Sequence, residues 1–384
     1  MEAPAHTLTL PLKLALTAAA AEYFRARQHT LGRVQTAGGG ESYGLQMESV
    51  SLPRLKAMLR RGFVSRVEVA HPDLMAYRSP LMELSKTLCT HVLLKRFTRE
   101  VVAQTLGSEP VRQWKREHPS SPLDSASLFG SAGDSPSVWE QDARMIRNSL
   151  LEPLFKQIDH ARDLEREEKE ERREFCNACF EDVSPSLWTL VARIHAQWRN
   201  SAFLNTIGGM LDACLRRTAI AEYLSLMLVE VVAYLQNLNM GQYVISRYHQ
   251  QISRSSLMRN EALRGRILGE MVKDAAKTTV TWAVDAEARP ANQRSTLTIT
   301  LFNRDIIPGR MQDEFRERSG ASLVAQSLSE FMRDPASEHV DIGLGLSYLS
   351  HLREVCAEHG ASFTSNIHHE TKGNVALISC QLSF

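Results

Sequence analysis

Apolar positions along the chain change period several times, and each change marks a new element. Leu8, Leu10 and Leu12 alternate with other residues, the period-two signature of a half-buried strand, and the alanine-rich stretch after them reads as a helix. Lys13 interrupts that stretch, no basic cluster precedes it, and no clean small-residue cleavage site ends it, so it does not read as a secretion signal. Val64, Val67 and Val69 form a second β-branched segment that stops at His71-Pro72, while residues 52–61 and 79–107 carry helical spacing. These signals predict a separate N-terminal α+β domain over residues 1–115, with no catalytic signature in it.

Residues 117–137 hold three prolines and many serines without apolar periodicity, which predicts a linker over 116–138. Beyond it, Leu150, Leu151, Leu154, Phe155 and Ile158 form a helical stripe that passes into a run of mixed charges. Such a run predicts a solvated helix held by i to i+4 pairs, and residues 139–214 read as a helical segment with a possible coiled-coil or dimerisation role. His160 lies in this stretch but lacks the proline-containing flank that usually follows a phospho-accepting histidine. Apolar helices follow over 186–240, the last near 218–238, and then a polar helical stretch runs to about residue 277. The period returns to two at 279–284, at 296–302 and, after Lys372-Gly373-Asn374, at 375–382.

Composition narrows the class. The chain is 43% hydrophobic and 23% charged, which fits a globular protein rather than a disordered one. Its 45 basic and 44 acidic residues give a net charge of +1, so no global field favours nucleic acid or an anionic membrane as partner. No run reaches the roughly 18 uninterrupted apolar residues of a membrane span. Cys176 and Cys179 have C-x-x-C spacing without a second pair at zinc-finger distance, and read as reduced thiols on one helix face. A cytoplasmic setting follows as the expectation.

One segment carries candidate chemistry. Asp341-Ile342-Gly343-Leu344-Gly345-Leu346-Ser347 precedes an amphipathic stretch from Tyr348 to His359, a glycine-rich turn feeding a helix N-terminus. Such turns bring backbone N–H groups close to phosphate, and the helix dipole favours negative charge there. With the strand at 297–302, Asn303-Arg304-Asp305-Ile306-Ile307-Pro308, the insert to Met332 and the last strand, the order resembles the histidine-kinase-like ATPase superfamily. The anti-sigma-factor serine-kinase branch is the most similar, and the resemblance covers residues 215–384. It implies a C-terminal α/β sandwich that binds ATP and Mg2+, with Asn303, Gly343, Leu344, Gly345 and Leu346 at the nucleotide.

The family also carries a helix with Glu-x-x-x-Asn, in which the glutamate is the base and the asparagine holds magnesium. Two segments compete for it: Glu230 with Tyr234 at the asparagine place, or Glu270 with Asp274 as the metal ligand. The departures fall on one chemistry. Asn303 stands where the family has an adenine-contacting aspartate, Asp305 and Ile307 where it has glycines, and Asp341 where it has the first glycine of the second motif. The expectation is therefore a degenerate site with weak or no nucleotide binding. The protein then acts as a regulator on another protein, such as a sigma factor or an anti-anti-sigma protein. An active ATP-dependent protein kinase is the alternative.

Overall fold

The computed structural model describes residues 7–38, 40–120, 140–198, 201–248, 257, 260–274, 277–284, 295–304, 344–370 and 375–384. The N-terminal sequence builds β1 (Thr7–Leu16), α1 (Ala18–Ala26), β2 (Gly32–Gln35), β3 (Glu41–Ser51), α2 (Leu52–Arg60) and β4 (Val64–His71). On β1, Leu8, Leu10, Leu12 and Leu14 are all buried, as their alternation requires. Thr17 starts α1: its Oγ1 accepts from Ala20 N at 3.2 Å and donates to Gly62 O at 2.9 Å, tying the helix start to the turn before β4. Pro53 opens α2 where a missing N–H costs nothing, and Leu52, Leu55, Met58 and Leu59 face the core. The strands pair antiparallel in the order β2-β3-β1-β4, the βαββαβ topology of ferredoxin-like folds.

The next elements are a short 3-10 turn (Leu74–Tyr77), α3 (Arg78–Leu106), α4 (Glu109–Glu117), α5 (Glu140–His160), α6 (Arg166–Asp182), α7 (Pro185–Trp198), α8 (Ser201–Arg216), α9 (Thr218–Tyr248) and α10 (Glu261–Lys273). Then come β5 (Thr278–Val284), β6 (Thr296–Arg304), α11 (Leu344–Glu358), β7 (Ser362–Glu370) and β8 (Val375–Ser383). The last four strands also pair antiparallel, in the order β5-β6-β8-β7.

β4 and β5 join the two sets. Six residue pairs, from Arg66↔Ala283 to His71↔Thr278, make one eight-stranded antiparallel sheet, β2-β3-β1-β4-β5-β6-β8-β7. This confirms an α+β protein but corrects the expectation of a separate N-terminal domain over 1–115. Residues 1–91 share one compact unit with 219–287 and 296–384, and the strands of both ends belong to the same sheet. One face of that sheet carries the apolar side chains, among them Val67, Val69, Val280, Trp282, Leu297, Ile299, Ile378 and Leu382, all buried. The opposite face is polar across its C-terminal strands, with Thr281, Thr300 and Ser379 in register.

The described elements of the second unit, which takes in residues 92–218, are helices. Ile146, Leu150, Leu151, Leu154 and Ile158 of α5 are buried, as are Phe175, Cys176 and Cys179 of α6. The apolar stripe and the charged run that follows it, continuous in the sequence, are two helices. The chain breaks after His160 and restarts at Glu165, where the Glu165 and Glu168 side chains form a reciprocal capping box. The linker expected at 116–138 lies, from residue 121 onward, outside the described residues. One helical stretch, Ala202–Tyr248, has the length and mean hydropathy (1.6) of a membrane span, but 61% of its most apolar window is buried against protein, as in a core helix.

Candidate functional site at one end of the sheet

Register places the end of β4, the start of β5 and the end of β6 side by side. His71 pairs with Thr278, Thr279 with Phe302, and Asn303 with Ala376 near the start of β8. The glycine-rich turn between β2 and β3 reaches this end: Gly38 has φ 64°, and a Cβ there would lie 2.7 Å from the Phe302 ring, so only glycine fits.

α9 delivers a cluster of amides to the same end. Asn239 Nδ2 donates to Thr278 Oγ1 at 2.7 Å. Gln236, three residues earlier and so on the adjoining helix face, is fully buried. Its Oε1 accepts from Met75 N at 3.1 Å and its Nε2 donates to Asp73 Oδ1 at 2.9 Å. Asp73 also caps the 3-10 turn, accepting from Ala76 N at 3.3 Å. His71 Nδ1 lies 2.9 Å from Asp73 O and 3.0 Å from Asp73 N, so the ring folds back onto the turn that follows β4. Asn237 is buried too, and its Oδ1 has no partner among the described residues.

The two sets of sequence-predicted carboxylates lie far apart. Glu230 sits nine residues before Asn239 on α9, about 13 Å along the axis. Its Oε1 lies 3.0 Å from Arg78 Nη2 in an ion pair, and Tyr234 is buried at 2% exposure. Glu270 and Asp274 instead join the end of α10 to the second half of α9. Tyr248 Oη donates to Glu270 Oε2 and Tyr243 Oη to Asp274 Oδ2, both at 2.6 Å, over a core of Met240, Val244, Ile267 and Met271. Burial, together with the Asp274 hydrogen bond, pushes the Tyr243 phenol up to about 12. The Glu270 bond and burial raise Tyr248 as well. Tyr248 lies 18 residues beyond Glu230, about 27 Å along α9, so Glu230 and Glu270 cannot line one pocket.

Asn303 lies in β6, and Leu344, Gly345 and Leu346 form the first turn of α11, so residue 343 directly precedes a helix. Gly343, Asp341, Asp305 and Ile307 lie outside the described residues. Among the described residues, no group of three or more His, Cys, Asp or Glu is arranged to hold a metal.

Sequence reasoning missed Asn239. Glu-x-x-x-Asn spacing points to Glu230 and Glu270, whereas the residue four before Asn239 is Leu235, fully buried. The available signal was polar clustering: Gln236, Asn237 and Asn239 interrupt an otherwise apolar helix. Chemically, this end of the sheet offers amides, hydroxyls and the His71 ring. Asp73, the carboxylate placed there, already accepts from Gln236 and the Ala76 N–H.

A profile described as a family of unknown function, DUF8084, matches residues 4–384. A Treponema pallidum (strain Nichols) protein described as uncharacterized is 23% identical over 380 residues, covering 98% of each chain. No solved structure matches.

Proposed function

We propose that this chain, which belongs to the family of unknown function DUF8084, is a cytoplasmic regulatory protein. In this reading its C-terminal half keeps a histidine-kinase-like ATPase sandwich but works through protein contacts. Support for the architecture comes from element order. A long helix, two strands, an insert, a helix entered through Gly343-Leu344-Gly345-Leu346, and a final hairpin follow one another, with strands ordered β5-β6-β8-β7.

The observation that carries the functional half of the proposal is what α9 brings to the strand ends. In the resembling family this helix contributes a base and a magnesium ligand. Here the residue beside Thr278 is Asn239, already hydrogen-bonded within the protein, and the place four residues earlier holds apolar Leu235. Glu230 is bound to Arg78 and displaced along the helix. These residues do not fit a catalytic ATP–magnesium centre. Buried free cysteines throughout the described chain fit a reducing compartment. The partner in this reading is another regulatory protein of the sigma-factor or anti-anti-sigma kind, with a second copy of the chain as the other possible contact.

Isothermal titration of the full chain with ATP and Mg2+ tests the proposal. Absent or millimolar binding is the expected result. Micromolar binding that is lost on Gly343→Glu contradicts a dismantled site and favours the kinase alternative.

A further inference from the structure

The chain is electrically balanced as a whole, but its N-terminal subsheet is not. Residues 7–71 carry nine Lys and Arg against four Glu, within a chain of 45 basic and 44 acidic residues. Lys13 is matched by Glu68 and Arg33 by Glu41. Four arginines gather where α1 ends beside β2 and β3, and all four are exposed. The Arg27 guanidinium lies 3.6 Å over the Tyr23 ring, and Arg61 approaches the same ring at 6.0 Å, with Nη1 3.4 Å from the Tyr23 hydroxyl. Arg25 lies 4.1 Å over the Tyr43 ring, and Arg33 at 5.6 Å.

Two tyrosines thus hold two pairs of guanidinium groups at one corner. A guanidinium held against a ring keeps its in-plane N–H groups free to meet a carboxylate as a fork. Arg33 already meets a carboxylate from beside its ring, through a single contact, with Nη1 2.6 Å from Glu41 Oε2. Among the described residues, no ion pair engages Arg25, Arg27 or Arg61. Running past them is β2, four residues long and the outermost strand of the sheet, bonded to a strand on its β3 side only. Its Arg33 pairs directly with Tyr43. An edge strand accepts an added strand through main-chain hydrogen bonds, and flanking side chains then choose the sequence.

We propose that this corner docks an extended acidic segment of a partner protein, laid along β2 with its carboxylates against Arg25, Arg27, Arg33 and Arg61. The chemistry favours carboxylates over a single-stranded nucleic acid. Nucleic acid needs open aromatic faces for base stacking, and here guanidinium groups already cover the tyrosines. The inference stands apart from the C-terminal nucleotide question, because every residue in it lies between Tyr23 and Arg61.

Fluorescence anisotropy of the full chain with a labelled alternating Glu-Val peptide tests it, the peptide being about eight residues long so that it spans β2 and its flanks. Binding should be present at low salt. The double reversal Arg25→Glu with Arg27→Glu should weaken it by about tenfold or more. Because these side chains are exposed, the urea midpoint of that variant should match the parent, which keeps a folding defect separate. Arg25→Lys should retain only part of the affinity, since lysine keeps the charge but not the planar fork. Failure of the peptide to bind, or binding indifferent to the double reversal, overturns the proposal. So does preferential binding of oligouridylate or of phosphatidylserine vesicles over the peptide.

Discussion

Gln236 is the polar tie between α9 and the corner that follows β4, and its removal has a calculable cost. Gln236→Leu keeps the volume and burial but deletes two hydrogen bonds: the one accepted from Met75 N at 3.1 Å and the one donated to Asp73 Oδ1 at 2.9 Å. A neutral hydrogen bond contributes about 1 kcal/mol net, and one to a charged group about 1.5–3 kcal/mol. Asp73 retains the Ala76 N–H at 3.3 Å, which keeps part of the charged contribution. Leucine opens little cavity, so the two losses together come to about 2–4 kcal/mol. Urea unfolding followed by far-UV circular dichroism measures the global change. Hydrogen exchange over the segment after β4 measures the local one, where the Met75 amide should lose protection by a factor of about 30 to 1,000. A variant within about 0.5 kcal/mol of the parent, with Met75 protection unchanged, would refute the reasoning.

Other consequences are as direct. Glu68 is 3% exposed, with Lys13 Nζ 2.8 Å from one oxygen and the Ala37 N–H 2.5 Å from the other, so Lys13→Met should cost about 3 kcal/mol by stranding a buried carboxylate. Adding Glu68→Gln should recover much of that, and a double-mutant cycle with no coupling would contradict the pairing. Trp282 is fully buried with no partner for its indole N–H among the described residues. Trp282→Phe should therefore cost under about 1.5 kcal/mol and Trp282→Ala about 3–5 kcal/mol, and equal costs would argue against the unpaired N–H. All six cysteines are buried, so iodoacetamide near pH 8 should label none in the native protein and all six after denaturation. Burial pushes Cys176, Cys356 and Cys380 from 9.0 up to about 12. A raised folded-state pKa contributes stability below the unfolded value and loses it above, so urea midpoints should fall as pH rises from 9 toward 12. A flat profile over that range would contradict the burial of these thiols.

Much of the fold was legible where one face of an element meets the core. β1, α2, α3, β5, β6, β8 and α11 all follow the apolar period of their own segments, because burial on one face writes that period directly. β2, β3 and β7 escaped for the opposite reason. β7 is an edge strand whose sequence, SFTSNIHHE, has only Phe363 and Ile367 as apolar residues, and β3 buries little beyond Gly44 and Val50. The break between α5 and α6 was hidden inside a run of charges that suits a helix throughout, and the box at Glu165 and Glu168 is what restarts it. The pairing of β4 with β5 joins residues more than 200 positions apart, and no local pattern encodes it.

The candidate site divides along the same line. Spacing located Glu230, but its partner Arg78 lies 152 residues away, and only the folded chain shows the carboxylate engaged there. Glu270 and Asp274 had plausible spacing as well, yet Tyr248 and Tyr243 hold them as ties between helices. Asn239 became visible only through its contact with Thr278, beside the strand that carries Asn303.

The central claim, a histidine-kinase-like architecture without its reaction, is tested most directly by following the γ-phosphate of labelled ATP in the presence of the full chain and Mg2+. Phosphate release and protein labelling should stay at the level of a protein-free control, and Glu230→Gln should leave that baseline unchanged. Turnover above the control that disappears in Glu230→Gln would contradict the account and restore Glu230 as a catalytic base.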